Sequence, residues 1–306
     1  MTFPVLFTMD RGNWETFVFI FLALFFYFYS KQKSYLAAFF LAMAIAAKLY
    51  PLTFLVFFLS DRKYKEILFT ILLAVLFTIS PLLFFHGSIL ENLIIFKTNL
   101  DLYFDAYAIG NFGLNFGCSL FGLIKMAVLG YSIEIGFLKE SYLTIIRAVF
   151  PWYSSIAAIL YGLLAAYVAF IDKVLWRRIA VVTIFSLLLP HVTADYRLIH
   201  LLIPMLFFIQ NDAKTTKWEK GVCVIFALLL VPKNYSLINT MAGVMVGHPV
   251  TPYFYDGVVF DPILLMILLG LVLKIGLEEY KKEDAKKQYL LYLSDLKKAK
   301  DVLSLK

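Results

Sequence analysis

The chain has 306 residues, of which 62% are hydrophobic, 18% aromatic and 16% charged, with a formal net charge of +7. Soluble domains average about half apolar and a quarter charged residues, so this composition excludes an ordinary soluble protein. The basic residues form short clusters between long apolar runs, and no basic face accompanies a base-reading motif. This distribution excludes nucleic acid as the expected partner and is typical of loops beside a lipid bilayer.

The first apolar run, Trp14 to Ser30, predicts a transmembrane helix. Lys31 and Lys33 follow it directly. Because Lys and Arg concentrate on the cytoplasmic side of a membrane, we expect this helix to begin outside and to run inward.

The second run, Ser34 to Ser60, is about 26 residues long, which suffices for one crossing. Basic clusters flank both of its ends, however, and Lys48-Leu49-Tyr50-Pro51 interrupts its middle. A straight crossing would place the two clusters on opposite sides of the membrane. We therefore predict two short helices that enter, turn near Lys48 and return. A lysine at membrane depth is costly, which indicates a functional role for Lys48 with an anionic ligand.

The middle of the chain adds two crossings on either side of a long external segment. Residues 66–85 are predicted to cross outward and residues 145–171 to cross inward. Residues 86–143 lie between them and are predicted to form interfacial amphipathic helices. The basic turn at 172–178 is then cytoplasmic.

Residues 179–210 repeat the pattern of the second run. This run is too long for one crossing, Pro190 to Arg197 interrupts it, and both of its ends are basic. We predict again that the chain enters, turns and returns. Residues 221–231 and 261–275 complete the crossings.

These runs together predict an all-α polytopic transmembrane helix bundle with short re-entrant or broken helices. Every cation cluster falls on the cytoplasmic side under this one topology. The bundle is expected to occupy residues 1–277, and residues 278–306 to form a charged cytoplasmic C-terminal tail.

The second interruption places four chemically versatile side chains inside an apolar run: His191, Asp195, Tyr196 and Arg197. His191 can transfer a proton near neutral pH, and a guanidinium such as that of Arg197 suits a phosphate. On a continuous helix, His191 and Asp195 would share one face. So many polar groups are too costly for packing alone, which indicates a functional site.

A weaker candidate precedes the first helix, where Asp10 to Asn13 and Glu15 lie. An ordinary capped helix start explains these residues equally well. Three other histidines, His86, His200 and His248, stand alone in the sequence. No metal-ligand spacing, P-loop or dinucleotide-binding pattern is present, so neither a metal nor a cofactor is expected.

Three short motifs carry a resemblance to a known family. They are Arg11-Gly12-Asn13, then Ala46-Ala47-Lys48-Leu49-Tyr50-Pro51, and then Asp195-Tyr196-Arg197-Leu198 with Leu202-Ile203-Pro204. In this order and spacing they resemble glycosyltransferase family 87, from the N-terminus to about Pro204. The family contains polytopic transferases of the GT-C type.

The resemblance implies hexosyl transfer, such as mannosyl transfer, from a polyprenyl-phosphate-linked sugar donor. The acceptor would be a glycan or glycolipid at the external face of the cytoplasmic membrane. It further implies roles for single residues. The donor phosphate would bind Lys48, Arg197, Tyr196 and Arg11, while the catalytic group would come from His191, Asp195 or Asp10.

In such transferases the base is typically an aspartate on the first external loop. This chain begins at the middle of the family pattern, so we expect an incomplete GT-C-like bundle that lacks the N-terminal helices and their carboxylate. A partner chain is one source that could supply them. Alone, the chain would then be inactive.

Two other interpretations remain open. Broken helices around a midplane site are also common in transporters, so the chain could move or flip a lipid-linked or anionic solute. Two halves with inverted, repeated hydropathy would favour that reading. An assembly subunit with no site of its own is the third, although it leaves the buried charges unexplained.

Overall fold

The computed structural model describes residues 3–10, 12–134, 139–210, 217–231, 244–245, 248–249 and 257–304. The described residues form an almost wholly helical chain, which confirms the all-α prediction. The α-helices are α1 Phe3–Asp10, α2 Glu15–Ser30, α3 Ser34–Ala47, α4 Val56–Ser60, α5 Tyr64–Ile79, α6 Ile89–Tyr103, α7 Leu120–Glu134, α8 Lys139–Ala166, α9 Leu175–Leu188, α10 Leu202–Ile209, α11 Lys217–Leu230 and α12 Gly257–Ser304.

Shorter elements connect them. There are 3₁₀-helices at Tyr50–Leu55, Ser80–Phe84, Leu114–Phe116 and Asp195–Leu201, and π-helical turns at Phe104–Ile109 and Tyr167–Ile171. Two short antiparallel strands, β1 Val244–Met245 and β2 His248–Pro249, pair with each other. The long helix α12 runs through residue 277, so the predicted boundary between bundle and tail falls inside one helix.

Three helical segments of the described chain are long and apolar enough to cross a membrane: Tyr64–Phe84, Tyr142–Ile171 and Gly257–Lys282. In the first of them only 11% of the most apolar window is buried inside the protein. Most of its exposed large side chains are leucine, isoleucine and valine, with Tyr64 and Phe84 at the ends. A surface of this size and character requires an apolar surrounding such as the bilayer core.

The second apolar run forms the predicted hairpin. Helix α3 ends at Ala47, and Lys48 has extended backbone angles of φ −154° and ψ 145°. The chain then continues as the 3₁₀-helix and α4. Both ends of the run meet, since the Tyr29 hydroxyl donates to Asp61 Oδ2 at 2.8 Å and Lys63 Nζ lies 3.4 Å from Gln32 Oε1. A straight crossing is thereby excluded.

The third long run, from α9 to α10, returns in the same way. Helix α10 packs against α9. The rings of Trp176, near the start of α9, and Phe208, near the end of α10, lie 4.7 Å apart. Nearly every side chain of α9 is buried, which makes it the central helix of the bundle. Residues 189–194 are not α-helical. The continuous helix on which His191 and Asp195 would share a face is therefore not formed, and the chain turns here as predicted.

The segment predicted to be external is attached to the tip of this second hairpin. Gly117 and Ala194 form an antiparallel bridge, and the amide of Cys118 donates to the carbonyl of Thr193 at 2.8 Å. Within the segment, the buried Lys125 ammonium donates to the backbone carbonyls of Tyr107 and Gly110 at 2.7 and 2.8 Å. These bonds hold the π-helical turn against α7.

Candidate functional site

The first hairpin turns at Lys48 to Pro51 and the second at Pro190 to Arg197, and these turns are the first and second tips. The two tips meet at Glu15, the first residue of α2. Its side chain has no exposed surface. The backbone amide of Glu15 donates to Asn13 Oδ1 at 3.1 Å, so Asn13 satisfies one of the orphan donors at this helix start. Buried carboxylates need partners for both oxygens, and here the partners come from both hairpins.

Each carboxylate oxygen of Glu15 has two partners. Oε2 accepts a hydrogen bond from Lys48 Nζ and lies 3.7 Å from Arg197 Nε. Oε1 accepts a hydrogen bond from the Tyr50 hydroxyl and lies 2.7 Å from His200 Nε2. The Tyr50 hydroxyl also lies 2.6 Å from His200 Nε2. One carboxylate thus connects the tips of two hairpins that are far apart in sequence.

The two cations are also held by aromatic rings. Lys48 Nζ lies 5.5 Å from the centre of the Tyr196 ring, and the Arg197 guanidinium carbon lies 4.6 Å from that of Tyr50. Cations over ring faces are attracted by the negative quadrupole of the ring. The side chains of Lys48 and Arg197 are 23% and 13% exposed, whereas Glu15 is hidden beneath them. The exposed side of this site is therefore cationic.

The predicted phosphate-binding residues are partly brought together. Lys48, Tyr196 and Arg197 lie in this one cluster. The backbone carbonyl of Tyr196 also accepts a hydrogen bond from Thr8 Oγ1 at 3.1 Å, which connects α1 to the second tip. Arg11 lies outside the described residues. Asp10 ends α1, and its side chain is likewise outside what the structure describes.

His191 contacts a different set of residues. Its ring stacks on Phe150 with 4.4 Å between ring centres, and Nε2 lies 3.0 Å from Ser154 Oγ. The Ser154 hydroxyl also donates to the Phe150 carbonyl at 2.8 Å, so it links His191 to the backbone of α8. The other rings around it are those of Phe121 and Tyr153. The structure does not place His191 against Glu15.

Asp195 begins the 3₁₀-helix that carries Arg197, and it is 2% exposed. Its carboxylate approaches the first residue of α12, Gly257, together with the carboxylate of Asp261. A Cβ atom on Gly257 would lie 3.3 Å from Asp195 Oδ2 and 3.1 Å from Asp261 Oδ2. Two acidic side chains from separate elements therefore lie close together beside the second tip.

Sequence reasoning missed three members of the cluster: Glu15, Tyr50 and His200. In the sequence an ordinary helix start explains Glu15 equally well, and Tyr50 is only a member of a motif. The prediction that His200 is isolated is wrong. His200 is separated from its carboxylate partner by 185 positions. One signal points to Glu15: two costly cations in apolar runs require a buried carboxylate, and Glu15 is an acid at the start of an apolar helix.

No group of three or more His, Cys, Asp or Glu side chains within the described residues could hold a metal ion. The groups that do converge are ammonium, guanidinium, imidazole, phenol and carboxylate. They can bind an anion and transfer a proton.

Comparison with known protein families gives a match that includes Glu15 and the first hairpin. Residues 1–127 match the model of glycosyltransferase family 87. The expected resemblance is confirmed over these residues, and its predicted continuation to about Pro204 lies outside the match. With the three long apolar helices, the family 87 match indicates a membrane protein. Arg197 and His200 lie beyond the matched residues.

Neither the curated proteins nor the solved structures contain a match to this chain.

Proposed function

We propose that the chain transfers a hexosyl group, such as mannosyl, from a polyprenyl-phosphate-linked donor to a glycan or glycolipid. The observation that supports this most directly is the pairing of Lys48 and Arg197 with a single buried carboxylate. Two cations and one carboxylate leave a surplus positive charge at the more exposed side of the site. A phosphate is the anion that both the guanidinium and the ammonium recognise well.

In the proposed reaction the acceptor hydroxyl oxygen bonds to the anomeric carbon of the sugar. The bond from that carbon to the phosphate oxygen breaks, and its electron pair leaves with the phosphate. Lys48 and Arg197 stabilise the charge that develops on the leaving phosphate, and Tyr196 lines its path. A base takes the proton of the acceptor hydroxyl.

We assign the base to a carboxylate, with Asp195 first and Asp10 as the alternative. Asp195 is two residues from Arg197, and its carboxylate lies beside that of Asp261. His191 is packed between rings and contacts Ser154, so we assign it to orienting the acceptor.

The cation distribution supports a site that opens on the external face of the cytoplasmic membrane. The hairpin ends remote from Glu15 carry exposed basic residues, namely Lys31, Lys33, Arg62 and Lys65. Basic loops remain on the cytoplasmic side, which places the tips nearer the outside.

The test is transfer by the purified full chain in proteoliposomes. Polyprenyl-phosphate-mannose and polyprenyl-phosphate-glucose serve as donors and octyl α-mannoside as the acceptor, and both the disaccharide product and released polyprenyl phosphate are measured. We expect transfer from one donor and a loss of about 100-fold in K48Q and R197Q. K97Q and R147Q, which remove exposed charges on α6 and α8, should retain transfer.

Transfer that is equal in K48Q, R197Q and the wild type would contradict the proposed site. The broken hairpins also fit a transporter, so movement of a donor across the bilayer is measured in the same vesicles. Translocation without transfer would establish that second function and reject the first. The absence of both transfer and translocation would reject the proposal as well.

A further inference from the structure

We infer that Glu15 sets the charge of the phosphate site so that it selects a phosphodiester with one negative charge over phosphates with two. This inference rests on the proposed function, because it concerns the same two cations. It assigns Glu15 a role in specificity that is distinct from acid–base chemistry.

The geometry excludes a direct role for Glu15 in proton transfer from an acceptor. Its side chain has no exposed surface, and both of its oxygens are already engaged by protein groups. An incoming hydroxyl could reach it only after those contacts broke. Instead, Glu15 holds Lys48 and Arg197 through one oxygen, Oε2. Its negative charge cancels one of their two positive charges.

The charge of the cluster follows from its members. Lys48 and Arg197 contribute two positive charges and Glu15 one negative charge. These three charged side chains, which meet at Glu15 Oε2, therefore have a net charge of one positive unit.

Phosphate ligands differ in the charge that they bring. A polyprenyl-phosphoryl sugar is a phosphodiester with a single negative charge. A polyprenyl monophosphate carries about 1.5 to 2 negative charges at pH 7, because its second pKa is near 6. Uncompensated charge in a poorly hydrated site is costly, so a site of charge +1 is matched by the diester. The monophosphate that transfer produces carries more negative charge than the site compensates. This excess favours release of the monophosphate.

A ladder of charge variants tests this inference by binding alone. The probes are farnesyl methyl phosphate, a diester, and farnesyl phosphate at pH 8, where the monoester is a dianion. K48Q and R197Q lower the site charge to zero, E15Q raises it to +2, and E15Q/K48Q returns it to +1. E66Q removes a carboxylate at the first turn of α5 and serves as the control.

We expect the wild type and E66Q to bind the diester at least as tightly as the monoester. E15Q should shift the affinity ratio about 10-fold toward the dianion. The additional positive charge of the site attracts the second negative charge of the monoester, about 6 Å away. K48Q should shift it in the opposite direction, and E15Q/K48Q should return to the wild-type ratio. If E15Q alone does not yield folded protein, K48Q and E15Q/K48Q still differ only at position 15.

Two results would overturn the inference. The first is a wild-type protein that binds the monoester more than about 10-fold tighter than the diester. The second is a ratio that stays constant when position 15 changes in a folded background. Failure of the proposed function is a separate result, because the wild type would then bind neither probe better than farnesol.

Discussion

Glu15 and Lys48 form an ion pair between the first residue of one apolar helix and the residue at which the next one breaks. The ammonium of Lys48 donates to Glu15 Oε2, and the carboxylate has no exposed surface. The pair explains why α3 ends where it does. The backbone of Lys48 is extended, and its side chain reaches Glu15 on α2. Pro51 lies at the start of a 3₁₀-helix and does not extend α3.

Removal of the carboxylate should destabilise the protein. Glu15→Ala leaves Lys48 and Arg197 facing each other without a counter-charge, and breaking a buried pair from one side typically costs about 3 kcal/mol or more. Thermal unfolding in detergent should show a clear fall in melting temperature. Glu66→Ala, at the first turn of α5, is the matched control and should change it little. Equal melting of the two variants would show that the cluster contributes no stability.

Tyr50 should contribute less than Glu15 does. Tyr50→Phe removes a donor to Glu15 Oε1, but His200 Nε2 still serves that oxygen. The expected loss is about 1 kcal/mol, as for one hydrogen bond with a remaining partner. In a double-mutant cycle with His200→Ala, the combined loss should exceed the sum of the two single losses. Strict additivity would mean that the two donors do not share the carboxylate.

Helix α12 contains two glycines for which the structure predicts opposite effects. A Cβ at Gly276 would collide with the Tyr167 hydroxyl and lie 2.6 Å from Asp172 Oδ2, whereas a Cβ at Gly270 would meet nothing within 4 Å. Gly276→Ala should therefore destabilise by about 2 kcal/mol through overpacking. Gly270→Ala should leave stability unchanged or slightly raise it. Melting temperatures of the two variants provide the comparison.

Labelling from one side of the membrane tests the first hairpin. Single cysteines at Gln32 and Arg62, in a background with Cys118 and Cys223 replaced by serine, should both react with an impermeant maleimide from the cytoplasmic side. The expectation follows from the contact between Gln32 and Lys63 across the two flanking turns. Labelling of the two positions from opposite sides would contradict the fold.

Much of the fold could be predicted because its determinants are local. Lys48 to Pro51 interrupts an apolar run whose two ends are basic, and this pattern alone predicts a hairpin. The same reasoning found the second one. Local pattern did not reveal the contacts of the residues in this second interruption, where His191 lies against Phe150 and Ser154.

The membership of the site could be predicted only in part, because its contacts are long-range. Lys48, Tyr196 and Arg197 stood out as polar groups in apolar surroundings. His200 looks like an isolated histidine until its partner Glu15, 185 positions away, is brought to it. Three-dimensional packing determines which carboxylate pairs with the two buried cations. Spacing along the sequence does not.

The most direct test of the central claim is the affinity of the full chain in nanodiscs for farnesyl methyl phosphate, measured against farnesol. The variants K48Q, R197Q and K48Q/R197Q are compared with K97Q and R147Q. We predict that the wild type and the two controls bind the phosphate far more tightly than the alcohol, and that each site variant loses at least about 10-fold. Equal binding of the phosphate by the wild type and the double variant would contradict the account.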